Sequence, residues 1–241
     1  MKHNVLCLKD ICLNHILDGI SLEVAREDHI MLIGANGSGK SSLLKVITGE
    51  YVPTHGSISF LEKPLIKTSI RKRASLIASM SQDPNLTTFS ELSVYENYLI
   101  VGGKSSRQEA AGYVEPFNPK LAEKLDAKVS TLSGGERQAL GLALCLQQRP
   151  ELVVLDEHTS ALDPVSAHRL MKMTMHALLE RKGCAIICTH NLEDALRYGN
   201  RLIAMKKGKI ILDLKGEEKR RISKEALQEI YYARTNDTNS N

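Results

Sequence analysis

The apolar positions of this 241-residue chain come first in short bursts, at residues 5–8, 20–24 and 30–33, with polar turns between them. Bursts of that length bounded by turn residues predict β-strands. A glycine-rich break over 34–39 leads into 40–48, where Leu43, Leu44 and Ile47 recur on one side of a helix. Strand-like runs return at 57–60 and 74–80, punctuated by the polar, proline-containing stretches 53–56 and 82–85. From about residue 90 to 149 strand signals stop, and helical spacing takes over at 94–100, 106–113, 121–125 and 136–148. A strand reappears at 152–155, followed by a helix over 164–181, a strand at 185–189, a helix at 192–198 and a hairpin-like pair within 202–213. The simplest architecture is an α/β core interrupted by a helical insertion. One domain is expected over 1–234, with core segments at about 1–88 and 150–216, a helical part at about 89–149 and a C-terminal helix at about 222–233. The polar residues 235–241 read as a flexible tail.

Composition narrows the picture. With 42% hydrophobic residues the chain can bury a sizeable core, which excludes a disordered protein. Its 32 basic residues face 28 acidic ones, a mixed surface that gives no nucleic-acid-sized field, so no nucleic-acid partner is expected. The run Lys219-Arg220-Arg221 reads as a solvated face. The five cysteines, Cys7, Cys12, Cys145, Cys184 and Cys188, form no CxxC pair and mostly sit in apolar stretches. Small buried thiols in a reducing compartment are expected, without disulfides. Charge interrupts the first ten residues before a signal-peptide core can form. The strongest apolar runs, 152–155 and 185–188, are too short to span a bilayer, so a membrane role would have to come from another chain.

Gly34-Ala35-Asn36-Gly37-Ser38-Gly39-Lys40-Ser41 fits the pattern G-x-x-x-x-G-K-[ST], after an expected strand and before an expected helix. The chemistry explains the residue types. Glycines let successive N–H groups converge on one point, and the helix start adds its positive end, which suits a phosphate. Lys40 is expected to reach the β- and γ-phosphates, and the Ser41 hydroxyl to ligate Mg²⁺, with Ser42 beside it. A glycine-rich turn with a solvated lysine is the plainer alternative.

Leu152-Val153-Val154-Leu155-Asp156-Glu157 is an apolar run ending in two carboxylates. A central strand would deliver Asp156 to the sheet edge to hold a hydrated Mg²⁺, and Glu157, facing the other way, can polarise a water for attack on the γ-phosphate. A solvated turn is the competing reading. His190 follows the 185–189 strand and is placed to contact the γ-phosphate or the attacking water. Gln82 follows the 74–80 strand and is suited to touch Mg²⁺ and report nucleotide state to the helical insertion.

Leu132-Ser133-Gly134-Gly135-Glu136-Arg137-Gln138 leads straight into a helix whose start again favours anions, although Ser-Gly-Gly is also compatible with a simple helix cap. This segment resembles the signature motif of the ATP-binding-cassette (ABC) ATPases. The resemblance covers roughly residues 5–216 with the family's motifs in order. They are the Walker A loop at 34–41, a glutamine loop at Gln82, the signature, Walker B at 152–156 with Glu157, a D-loop at Ser160-Ala161-Leu162-Asp163, and a switch histidine at His190. It implies a RecA-like P-loop core with an N-terminal antiparallel β subdomain and an inserted α-helical subdomain. It further implies an ATP hydrolase using Mg²⁺, with Glu157, His190 and Lys40 catalytic. ATP would be held by Gly34, Asn36, Gly37, Ser38, Gly39, Lys40, Ser41, Ser42, Gln82 and Asp163, with Ser133, Gly134 and Gly135 closing over the ATP of a second copy. Metal contacts would come from Ser41, Gln82 and Asp156.

Two features depart from the family pattern. No aromatic residue stands in Ile11-Cys12-Leu13-Asn14-His15, where adenine is usually stacked, and the residue after Glu157 is His158 where the family usually has proline. That variant, with Gly199-Asn200-Arg201-Leu202-Ile203 and Gly216-Glu217-Glu218-Lys219, resembles a subgroup of bacterial import ATPases paired with permeases and binding proteins thought to handle aromatic amino acids. The expected assembly is a homodimer on the cytoplasmic face of the membrane with integral permease subunits and a separate solute-binding protein. The permease would dock where Gln82 meets the insertion, near Leu92, Val94 and Tyr98, which are equally compatible with core positions. The alternative is a non-transport ABC ATPase acting on nucleic acid or ribosomes.

Overall fold

The computed structural model describes residues 4–66, 68–81, 83 and 86–232; Gln82 and the expected tail 235–241 lie outside them. Its elements run β1 (Asn4–Leu13), β2 (Leu17–Ala25), β3 (His29–Ile33), α1 (Lys40–Thr48), β4 (His55–Phe60), β5 (Lys63–Pro64), α2 (Ile70–Ala74) and β6 (Ile77–Met80). They continue with α3 (Val94–Gly102), α4 (Arg107–Val114), α5 (Pro119–Glu123), α6 (Gly134–Gln147), β7 (Leu152–Asp156) and α7 (Pro164–Arg181). The last are β8 (Cys184–Cys188), α8 (Leu192–Arg197), β9 (Arg201–Lys206), β10 (Lys209–Lys215), α9 (Gly216–Arg221) and α10 (Lys224–Tyr232). The chain divides into two compact units, Met1–Ala74 with Cys184–Asn241, and Ser75–Gly183.

The first unit holds an antiparallel sheet in the order β2-β1-β4-β5 and a second set of strands in the order β10-β9-β3-β8. β1 is longer than its sequence suggests because its apolar alternation changes phase. Leu6 and Leu8 are buried, then Ile11 and Leu13, with a register shift between Leu8 and Ile11 and Asp10 at φ 50. An extra residue in a strand flips the side chains beyond it to the opposite phase, so only the first stretch reads as a strand. β3 lies parallel to both β8 and β9, pairing Met31 with Ile187 and with Leu202. All residues of β3 and β8 are buried, as expected of parallel strands covered on both faces.

Buried cations tie this unit together. The Arg73 guanidinium in α2 donates to the carbonyls of Val46 (2.9 Å), Ile47 (3.1 Å), Leu65 (2.8 Å), Ile66 (3.4 Å) and Thr68 (3.3 Å), the first two in the last turn of α1. Arg201 makes a bidentate pair with Asp213 (2.7 and 2.6 Å) and reaches the buried Asp28 at 3.0 Å. Lys219, expected in a solvated face, is buried. Its ammonium caps the end of α8 by donating to Leu196 O (3.3 Å), Gly199 O (2.9 Å) and Tyr198 O. The expected strand over 74–80 begins only at Ile77, because Ala74 closes the one-turn helix that presents Arg73.

The second unit holds the parallel pair β6–β7, in register from Ile77↔Leu152 to Met80↔Leu155, and the helices α3 to α7. Ser-x-x-Glu capping boxes open three of those helices, at Ser93/Glu96, Ser106/Glu109 and Ser133/Glu136. Because the Ser133 box includes the two glycines, α6 begins at Gly134 and not at Glu136. Residues 138–146 of α6 are buried on every side, and α3, α4, α5, α7 and β6 all contact it. Val94 and Tyr98 are core positions of this unit, Tyr98 stacking on Tyr113 at 5.6 Å and Tyr113 on Phe117 at 5.7 Å. Apolar groups left exposed in this unit include Leu86 (78%), Phe89 (57%) and Ile100 (54%), with Val165 and Leu179 on α7.

Candidate active site

In the first unit the chain leaves β3 at Gly34, and the loop to α1 folds back over its own backbone. Ser38 N donates to Ala35 O at 3.0 Å, and Gly208 N donates to Ser38 O at 3.0 Å. Gly34 can only be glycine here, since a Cβ would lie 2.5 Å from both Met205 O and Ser38 Oγ. Gly39 caps α1 at φ 103, in left-handed geometry that glycine alone adopts without strain, and contributes no side chain to the helix start. α1 therefore opens with backbone N–H groups and carries no acid in its first turn. Ala35, Asn36 and Gly37 are exposed at the loop tip, Ser41 is exposed and Ser42 half-buried. Ser38 Oγ is buried and has no hydrogen-bond partner. Lys40 is buried, and its ammonium donates to Gly34 O (2.7 Å) and Ala35 O (3.3 Å).

His190 belongs to the same edge. β8 runs parallel to β3 with Cys188 opposite Leu32, and Thr189 N donates to Leu32 O at 3.1 Å. The exposed His190 and the Gly34 loop thus leave neighbouring strands at their carboxyl ends, where ligands bind in open α/β sheets. In the stretch 11–15, Ile11 and Leu13 are buried while Asn14 and His15 are exposed in the β1–β2 turn, together with Ile16. The Ile16 carbonyl packs so closely on Gly39 that a Cβ there would approach it to 3.2 Å.

In the second unit β7 carries Asp156 to its carboxyl end beside the end of β6. Asp156 Oδ1 is buried and has no hydrogen-bond partner. The strand alternation stops there. Glu157, expected to face the other way from Asp156, turns at φ 48, and its carbonyl accepts from Ser160 N at 3.0 Å. Asp163 is the exposed N-cap of α7, its Oδ1 accepting from Val165 N and Ser166 N, both at 3.0 Å. Hydrogen bonds from Ser166, side chain and backbone, and from Val165 hold its carboxyl below the ordinary aspartate range. Ser133 is an N-cap too: Ser133 Oγ accepts from Glu136 N at 3.3 Å, and Ser133 N donates to Glu136 Oε2 at 3.1 Å. Burial opposes the charge of Glu136, but Lys124, donating to both carboxylate oxygens at 2.9 Å, and the Ser133 N–H outweigh it and keep its carboxyl below the usual range. Ser133 and Gly134 are exposed, so capping and an open helix start coexist.

Sequence reasoning singled out His158 as a departure without giving it a task. The residue is fully buried, its Nε2 3.0 Å from Thr174 Oγ1, and its carbonyl accepts from the side-chain amide of Gln138. Burial pushes the imidazole down to about 4, so it is neutral. Gln138 stood out only as the end of the signature segment and Thr174 not at all, since both partnerships link residues far apart in the chain.

Residues 17–160 match the family model described as "ABC transporter". The chain is 32% identical to a tyrosine transport ATP-binding protein of Clostridioides difficile, over 91% of this chain and 92% of that one. It is 30% identical to the xylose/arabinose import ATP-binding protein XylG of Sulfolobus acidocaldarius, over 84% and 83%. The Nod factor export ATP-binding protein I of Burkholderia thailandensis is 34% identical over 82% of this chain and 65% of its own length. Among solved structures, CbiO1 of Clostridium perfringens, part of the ABC transporter complex CbiONQ, superposes with a TM-score of 0.79 at 26% identity, covering 97% of this chain and 98% of that one. A phosphate loop opening a helix beside a histidine strand end, together with likenesses that run nearly the whole length, shows that the chain belongs to the ABC transporter family as an ATP-hydrolysing, ATP-binding subunit.

Proposed function

We propose that two copies of this chain close head-to-tail around ATP and thereby drive a separate membrane permease. The open start of α6 carries this reading. A Cβ added at Gly134 would meet nothing within 4 Å, and at Gly135 it would meet only Leu162, at 3.8 Å. A fourteen-residue helix whose capped start is exposed at Ser133 and Gly134 and lined by glycine leaves room for a phosphate to approach its N–H groups. The γ-phosphate would be gripped by Ser133, Gly134 and Gly135 of the partner subunit, with Asp163 in the adjoining D-loop.

The loop N–H groups from Gly34, Asn36, Gly37, Ser38 and Gly39 would cradle the phosphates, with the hydroxyls of Ser41 and Ser42 at the helix start and Lys40 moving its charge from carbonyls to the β- and γ-phosphates. The orphaned Ser38 Oγ suits that polar cradle. The residues also suit Mg²⁺, which keeps several waters and takes one or two carboxylates plus phosphate oxygens. Asp156 offers a buried carboxylate oxygen that no protein donor occupies, and Ser41 an exposed hydroxyl. Gln82 is assigned to the ion by motif order alone. When bound, Mg²⁺ would neutralise charge on the phosphates. Glu157 would orient and deprotonate the water that attacks the γ-phosphorus as its bond to the bridging oxygen breaks. His190 and Lys40 would stabilise charge on the transferring group.

The relatives support a role in transport: one serves tyrosine transport, one xylose/arabinose import and one Nod factor export. We assign this chain to import of an aromatic amino acid, with a separate binding protein, on the cytoplasmic face of the membrane. No helix among the described residues is long and apolar enough to cross a membrane, so contact with the bilayer would come through the permease. Its docking surface is better sought at the exposed Leu86, Phe89 and Ile100 than at Val94 and Tyr98, which are committed to the core.

Glu157→Gln tests the reading. The variant should bind ATP, lose more than about a hundredfold in kcat and accumulate as an ATP-bound dimer. Turnover at the wild-type rate would remove Glu157 from the base role.

A further inference from the structure

Glu157 sits in left-handed backbone, φ 48, a conformation that a non-glycine residue keeps only when its surroundings impose it. The next residue supplies the imposition from two sides. The His158 carbonyl accepts from the Gln138 amide in α6, and the His158 ring meets Thr174 in α7 at 3.0 Å. Thr174 Oγ1 donates its single proton to Leu170 O at 2.9 Å. The contact with the ring therefore needs a donor on the imidazole, which fixes the tautomer with hydrogen on Nε2 and leaves Nδ1 a bare acceptor. Nδ1 is buried and has no hydrogen-bond partner. All four residues are buried or, for Leu170, in the core, so water does not compete for these bonds.

We infer that His158 is a positioning residue: held between Gln138 and Thr174, it fixes the peptide from which the Glu157 carboxylate projects and ties that peptide to the helix that begins with Ser133. A shift of α6 at its phosphate-facing start is thereby passed to Glu157 through one side-chain amide and one carbonyl. This inference rests on the assignment of Glu157 as the base.

Steady-state ATPase kinetics and thermal unfolding of His158→Leu, His158→Gln and Thr174→Val test it. His158→Leu and Thr174→Val should each lower kcat by about tenfold or more while KM for ATP stays within about twofold, since small misplacements of a reacting group are costly to the chemical step. His158→Gln, whose amide can still donate to Thr174, should recover kcat to within about threefold of wild type. Added to Glu157→Gln, His158→Leu should change the residual rate by less than about twofold, because a residue acting through Glu157 has nothing left to position. Wild-type kcat in both His158→Leu and Thr174→Val would overturn the inference. So would a loss of kcat in Thr174→Val that merely follows a lowered unfolding temperature, or a His158→Gln variant as slow as His158→Leu. If Glu157→Gln itself turns over normally, the base assignment fails; if Glu157→Gln is inactive and His158→Leu is fully active, only the positioning role fails.

Discussion

Lys40 shows how a single residue can be both structural and poised. Its ammonium is buried and satisfied by the carbonyls of Gly34 and Ala35, which it would exchange for the stronger, doubly charged partner of a triphosphate. Hydrogen bonds to charged groups contribute about 1.5–3 kcal/mol, so Lys40→Ala should weaken ATP binding by roughly tenfold to a hundredfold in calorimetry. Unchanged affinity would contradict the phosphate-loop assignment. At this scale much was legible in the sequence. The loop-to-helix turn at 34–42 could be read because it depends on spacing within a short stretch of chain, and the strand that ends at Asp156 because an apolar run ends there. His158 stood out only as an oddity. Its meaning lies in partners 20 residues before it and 16 after it, and no local pattern encodes those pairings. Lys219 differs from expectation for the same reason, because a cation that opens a Lys-Arg-Arg run looks solvated until the end of α8 is seen to need a donor.

At the scale of elements, α1 is held at both ends by different means. Its start is capped by Gly39 with no side-chain hydrogen bond, while its last turn is gripped by Arg73, which also binds the chain at Leu65, Ile66 and Thr68. Replacing Arg73 by methionine would keep much of the packing but strand several buried carbonyls without donors. We expect Arg73→Met to destabilise the protein by about 3 kcal/mol, read as a lower urea midpoint at unchanged slope. A change below about 0.5 kcal/mol would mean that water satisfies those carbonyls. α2 escaped sequence reading because one turn with a single anchoring side chain has no apolar period to detect. β1 was half-read because its bulge inverts the alternation, whereas the insertion was clear because strand signals stop and helical spacing is sustained through it.

At the scale of the molecule, the proposal is that each copy owns a phosphate loop and a signature helix that serve different ATP molecules. ATP then acts as the adhesive, and its hydrolysis releases the pair. Switching an assembly from mostly open to mostly closed takes about 5.5 kcal/mol of differential binding, within reach of two γ-phosphates each gaining charge-assisted bonds across an interface. Complementation between two inactive variants tests this most directly. Lys40→Ala lacks a working phosphate loop but keeps its signature, and Ser133→Arg blocks its signature but keeps its phosphate loop. Each variant alone should be close to inactive. In an equal mixture, random pairing should rebuild about one quarter of the sites, so the ATPase rate should rise toward that fraction of wild type. A mixture no faster than its components, or a Ser133→Arg variant that hydrolyses ATP at the full rate as a monomer, would contradict the shared site.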